Sequence, residues 1–299
     1  MTRFLTLFLL LASAAPALAD QQNYPFKLVY RQEAGKITAL ALNNGPAPML
    51  VTVDLGKSVN VESDHASPIL VVVKPSETVP VATVHAADKS KAFRLAVSYK
   101  FSIGDPDAVP DPAALYRLPF RDGQKIMIGQ IRGGRITTHT GPDSEYAIDF
   151  DVPIGTPILA ARKGVVVDID QDYTEGGNDS RFKANHVLIL QEDGTLAVYS
   201  HLAHNGAAVT MGQVVEAGTL IGTSGNTGYS SGPHLHFAVL TNTRTPDGTA
   251  KYLSRPVKFV NGSPAREIEL AQDQVLVVNR SGKPAASVRA GSVEPAPIN

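Results

Sequence analysis

The 299-residue sequence predicts a mainly β protein in two units, an N-terminal β-sandwich followed by a second β domain. Three observations carry this. Tryptophan is absent and aromatics make up 6%, while Gly (25) and Pro (21) are plentiful, a balance that favours short strands and turns over long helices. Short runs of β-branched and aromatic residues recur between turn residues along most of the chain. A Pro- and Asp-rich stretch then splits these runs into two groups.

Taking the chain in order, Met1-Thr2-Arg3 precedes an apolar run from Phe4 to Ala15, closed by Ala17-Leu18-Ala19 before Asp20. This is the three-part pattern of a secretory signal peptide, too short to span a bilayer, so residues 1–19 are expected to be removed and to leave no membrane anchor. Cysteine is absent, which excludes a disulfide framework, a thiol nucleophile, a cysteine-based zinc site and a lipid-modified cysteine.

Between residues 20 and 103, β-prone runs fall at Phe26–Tyr30, Ile37–Leu42, Met49–Val53, Ile69–Val73, Val79–Val84 and Phe93–Phe101, with turn signals such as Asn43-Asn44-Gly45 between them. That spacing predicts a small sandwich, of which an immunoglobulin-like form is one version. It holds no catalytic constellation, and its two histidines, His65 and His85, read as exposed side chains. Residues 104–122, with Pro106, Pro110, Pro112 and Pro119 and with Asp105, Asp107 and Asp111, read as the linker.

The second unit, 123–262, brings further runs at Thr156–Ala160, Val165–Ile169, His186–Leu190, Leu196–His201, Leu220–Gly222 and Leu235–Leu240, together with six of the eight histidines. Residues 263–299 show one weak strand signal, Val275–Val278, and read as a C-terminal tail that is loose from Gly282 onward. With 27 basic against 28 acidic residues, a formal charge of -1 and no dense basic run, nucleic acid is excluded as a partner. Oligomeric state has no signature in the sequence.

The chemistry concentrates in Gly232-Pro233-His234-Leu235-His236-Phe237. Strand alternation sends His234 and His236 to one face and Leu235 and Phe237 to the other, so one face builds core and the other presents two imidazoles. Ala147-Ile148-Asp149-Phe150 repeats the design with a carboxylate, ten residues after His139. Two imidazoles and a carboxylate meet the ligand count of a catalytic zinc site, whose fourth position is left to water. His201, beside Ser200, admits two readings. Neighbours on a strand face opposite ways, which disfavours a Ser/His nucleophilic pair and favours His201 as a base or acid beside the metal. His186 and His204 read as structural. The stretch Gly222–Gly228 lacks the Gly-Lys-Ser/Thr ending of a phosphate loop and reads as a groove-lining turn.

Gly155-Thr156-Pro157-Ile158, Gly164-Val165-Val166, Tyr199-Ser200-His201-Leu202 and Gly225-Asn226-Thr227-Gly228 through Gly232–Phe237 together resemble, in content and order, the lysostaphin-type (LytM-like) zinc metallopeptidases. The resemblance covers roughly residues 123–262. It implies an antiparallel β-sheet domain of the duplicated-hybrid-motif type and one Zn²⁺ held by His139, Asp149 and His236. His201 and His234 become the two active-site histidines that are not ligands. It also implies a peptidoglycan endopeptidase acting on peptide cross-links or stem peptides. The first ligand lies ten residues before the aspartate instead of the four common in the family, so an extended hairpin is expected between them. A relative that has lost metal ligands and regulates cell-wall amidases through the same groove is the alternative; here all five positions are occupied.

Overall fold

The computed structural model describes residues 10–13, 24–245, 249–262 and 264–280. Most of the expected signal peptide, its cleavage point at Asp20, and the expected loose tail from Gly282 lie outside these residues. Leu10–Ser13 is a strand that pairs in parallel with Ala96–Ile103. Among the described residues there is no helix, and the secondary structure consists of strands, most of them antiparallel.

The N-terminal part forms two four-stranded sheets. One orders Leu10–Ser13, Ala96–Ile103, Met49–Asp54 and Ile69–Val73; the other orders Phe26–Glu33, Lys36–Asn43, Glu77–Ala86 and Val61–Ser63. Alternation explains their shared core, because Ile37, Ala39 and Ala41 on one sheet and Met49, Val51 and Val53 on the other are buried in a single apolar cluster.

The C-terminal part centres on an 11-stranded sheet. In its middle, Asn185–Leu190, Leu196–Ala207, His234–Arg244, Ile148–Asp151 and Lys125–Gln130 lie side by side, all antiparallel. One face carries Val187, Ile189, Ala197, Tyr199, Ile148, Phe150, Leu235, Phe237 and Val239 into a second core. Phe237 is fully buried with its ring centroid 5.1 Å from Tyr199 and 5.6 Å from Phe259, and burial of a side chain that size stabilises by about 1.5–3 kcal/mol.

The opposite face is divided along its length. His234 and His236 occupy one end of their strand; Ala238 and Leu240, two and four residues beyond His236, enter the N-terminal apolar cluster with Leu188, Leu196 and Val198. The two parts therefore share one apolar layer. Polar contacts reinforce it: Asn242 Nδ2 donates to Ser102 Oγ (2.8 Å) and the Gly104 carbonyl (3.0 Å), and Arg244 forms a two-pronged ion pair with Asp107 (2.6 and 2.9 Å).

Two segments differ from expectation. Within the expected linker 104–122, Leu115–Arg117 is a strand paired in parallel with Lys258–Asn261, and Tyr116, Leu118 and Phe120 are buried in the second core. Their alternation is a strand signal that the surrounding prolines and aspartates obscure. Within the expected tail 263–299, Arg266–Ile268 and Val275–Val277 are strands and Val278 is buried. Arg280 donates to the Leu118 carbonyl (2.7 Å) and accepts from Arg117 (2.8 Å), so the chain remains packed through residue 280.

Candidate metal centre

Cross-strand register assembles most of the site. Gln130 lies opposite Asp149, Asp149 opposite His236, and His236 opposite Ser200. Directly opposed residues in an antiparallel sheet share a face, so this row projects its side chains to one side while Phe150, Leu235, Phe237 and Tyr199 hold the backbone from the other.

His139 arrives from outside the sheet. The ten-residue path to Asp149 is a compact turn instead of an extended hairpin: the Ser144 and Glu145 N–H groups both donate to the Gly141 carbonyl (3.1 and 2.9 Å), and the Ala147 N–H donates to that of Ser144 (2.8 Å). Gly141 and Pro142 favour such a turn. Ser254, on the strand Ala250–Arg255, pins it by donating from N and Oγ to the Pro142 carbonyl (2.8 and 3.1 Å) and accepting the Tyr146 N–H (3.0 Å).

The result is a cluster in which His139, Asp149 and His236 each offer a ligand-type atom, all within 4.8 Å of one another. His139 Nε2 is 3.2 Å from Asp149 Oδ2 and His236 Nδ1 is 3.0 Å from Oδ1. Ligands held at 2.0–2.1 Å around a tetrahedral ion lie about 3.3 Å apart, so the donors and their spacing fit zinc. Asp143, four residues after His139, is outside the cluster. Burial raises the Asp149 pKa, but hydrogen bonds to His139 and His236 and the charges of His236 and His234 outweigh it. The carboxyl is held well below the usual carboxylate range and stays ionised.

His234 and His201 complete the groove. His234 Nδ1 donates to the Gly232 carbonyl (2.8 Å), and its Nε2 lies 3.7 Å from Asp149 Oδ2. Alternation alone would turn His201 toward the core. It reaches the groove because the register slips between His186↔Ser200 and Asn185↔Leu202, and His201 takes a left-handed backbone with φ 62°. Tyr199 and Leu202 remain in the core on either side of this bulge. Ser200 thus occupies the row while His201 is extruded beside it. The turn 225–228 receives it: a Cβ on Gly225 would sit 2.6 Å from the Leu202 backbone, and that closeness lets the Gly225 N–H donate to the His201 carbonyl (2.8 Å). His201 Nδ1 donates to the Thr227 carbonyl (2.6 Å), which leaves Nε2 as the proton-accepting atom. Burial, then the neighbouring charges of His234 and His236, lowers its pKa to about 3, so it is neutral at working pH.

The five residues therefore line one cavity of about 220 Å³, together with Gln130, Thr138, Asn178, Tyr229, Ser230 and Ser231. The rings of His201 and His234 are 4.5 Å apart, and those of His139 and His236 are 4.9 Å apart. Sequence reasoning missed Gln130 and Ser230. The first ends the strand Lys125–Gln130, whose alternating Ile126 and Ile128 were available as a signal; the second sits in a turn with no distinguishing pattern. His186 is elsewhere, buried between Asp168 (3.3 Å) and Asp170 (3.7 Å), and His204 and His65 are exposed.

The antiparallel sheet thus brings a His/Asp/His group that could hold a metal ion together with two further histidines. Residues 143–247 match the model of Peptidase family M23. It is 37% identical over 100 residues to the glycyl-glycine endopeptidase ALE-1 of Staphylococcus capitis, covering 33% of this chain and 25% of that protein. It is 37% identical over 109 residues to the peptidoglycan DD-endopeptidase ShyC of Vibrio cholerae, covering 36% and 22%. The chain thus spans about a quarter of the length of these curated relatives. Among solved structures, the catalytic domain of lysostaphin from Staphylococcus simulans aligns at 32% identity, covering 43% of this chain and 86% of that one with a TM-score of 0.29.

Proposed function

We propose that the protein is an exported zinc metalloendopeptidase that hydrolyses peptide cross-links or stem peptides of bacterial peptidoglycan. The observation that carries this is the meeting of His139, Asp149 and His236 in a groove where two other imidazoles turn their Nδ1 atoms to backbone carbonyls and their Nε2 atoms inward. The relatives named as glycyl-glycine and peptidoglycan endopeptidases support the substrate, and the N-terminal sequence pattern supports export.

His139, Asp149 and His236 would hold one Zn²⁺. When bound, the ion supplies Lewis acidity, polarising a peptide carbonyl and making water acidic enough to lose a proton near neutral pH. His201 does the work of a general base: its neutral Nε2 accepts a proton from the attacking water, and the Thr227 carbonyl stabilises the cation that forms. The proton that His201 takes from the water is passed on to the leaving amine, while an imidazolium at His234, its Nδ1 on the Gly232 carbonyl, would offer its Nε2–H to the tetrahedral oxyanion. The ionised Asp149 places a negative charge among these four imidazoles.

The unit that performs this chemistry runs from residue 115 through 280 on this reading, with the sandwich within residues 24–103 fixed to its flank. Purified peptidoglycan incubated with the protein, with and without a zinc chelator, tests it. The expected result is bound zinc and chelator-sensitive loss of cross-linked muropeptides. Zinc without cleavage would favour an amidase regulator, and a protein that binds no zinc would overturn the reading.

A further inference from the structure

The ten residues between His139 and Asp149 create a positioning problem: the carboxylate is fixed on a sheet, whereas the imidazole sits between a segment exposed in part, 131–138, and a turn. One side chain touches both ends. Gln130 Nε2 donates to Asp149 Oδ2 (2.8 Å), while its Oε1 accepts the Thr138 N–H (2.7 Å) and the Thr138 hydroxyl (3.3 Å), one residue before His139. Gln130 lies opposite Asp149 where the register of the two strands shifts, and this irregularity aims the amide along the row.

We propose that Gln130 is the positioning residue of the metal centre, an amide clamp that orients the Asp149 carboxylate and docks the segment delivering His139 in one step. The inference rests on the zinc reading above. The same Oδ2 that accepts from Gln130 faces His139 Nε2 at 3.2 Å, so the amide sets which lone pair of the carboxylate remains for the centre. An amide is required because one end must donate and the other accept. Glutamate would place a second carboxylate against Asp149, and methionine fills the volume without the donor. Both Gln130 and His139 precede residue 143, where the family match begins.

A second glutamine provides an internal control. Gln272 holds the far side of the same loop, accepting the Arg135 N–H (2.5 Å) and donating to the carbonyls of Gly129 (3.0 Å) and Ile136 (3.2 Å), and it is not among the residues that line the groove.

The test measures zinc dissociation constants by competition with a chromogenic chelator for the full chain, Gln130→Met and Gln272→Met, alongside urea midpoints of the metal-free forms. Gln130→Met is expected to weaken zinc binding about 10- to 100-fold, the usual effect of removing an outer partner of a ligand, while Gln272→Met changes it less than about threefold at a comparable midpoint. Wild-type affinity in Gln130→Met overturns the proposal, and so does equal weakening in both variants, which would reduce Gln130 to a loop support. If Gln130→Met does not fold, Gln130→Asn, with its amide one methylene short of both partners, is measured in its place, and wild-type affinity there also overturns the proposal. Failure of the unsubstituted chain to bind zinc would sink the metallopeptidase reading itself, an outcome distinct from the others.

Discussion

Replacing His201 separates proton transfer from metal binding and from folding. His201 is outside the ligand-type cluster and its ring centroid is 5.8 Å from that of His236, so His201→Ala should keep a full complement of zinc. Loss of a positioned general base lowers turnover by about 10²- to 10⁴-fold, or about 2.7–5.5 kcal/mol of transition-state stabilisation. The folding cost has two opposing parts. The Thr227 carbonyl loses the Nδ1 donor, a loss of about 1–3 kcal/mol for a buried acceptor. His201→Ala keeps the left-handed backbone at φ 62°, whereas His201→Gly releases a strain of order 1 kcal/mol. The glycine variant should therefore be at least as stable as the alanine variant, yet equally inactive. The assay is kcat/KM on a purified cross-linked muropeptide, with zinc content by elemental analysis and stability by urea titration. Activity within about threefold of wild type would refute the general-base role, and zinc lost in step with activity would make His201 a ligand.

Two further outcomes probe the frame around the site. Phe237→Ala, on the core side of the strand that carries His236, should cost about 3–5 kcal/mol in urea unfolding, because the side chain is fully buried among Tyr199, Phe259 and Tyr116; a cost below about 1 kcal/mol would mean that this core repacks freely. His186 gives a pH signature: burial opposes its charge, but the hydrogen bond to Asp168 and the charges of Asp168 and Asp170 win, and its pKa is raised. Its stabilising contribution is then complete below the unfolded imidazole value of about 6.5 and is lost as pH rises through the folded value. Urea midpoints should fall on the alkaline side more steeply in wild type than in His186→Asn, and parallel curves would exclude the effect.

Much of the site was legible because it is written in period-two patterns. Leu235/His236/Phe237 and Ile148/Asp149/Phe150 each alternate between a core face and a polar face, which puts Asp149 and His236 on one face, and the register of the two strands then sets them opposite each other. His201 was legible as a residue but not as a direction, because a one-residue bulge with left-handed backbone overrides alternation and depends on tertiary contacts with residues 225–228. The route from His139 to Asp149 was likewise hidden, since the turn is held by Ser254, distant in sequence. Tyr116, Leu118 and Phe120 were masked by the prolines around them, and the strand Lys125–Gln130 by its short run of only two buried isoleucines.

The apolar layer common to both parts changes how the molecule should come apart. Leu188, Leu196, Val198, Ala238 and Leu240 belong structurally to the peptidase sheet but are sealed by the sandwich. Hinge motion is the default for domains joined by small polar interfaces, and a shared hydrophobic layer removes that freedom. Unfolding of the sandwich would wet the strand that holds His236, so the two parts melt as one cooperative unit. The groove's geometry is in this sense guaranteed by residues that never approach it.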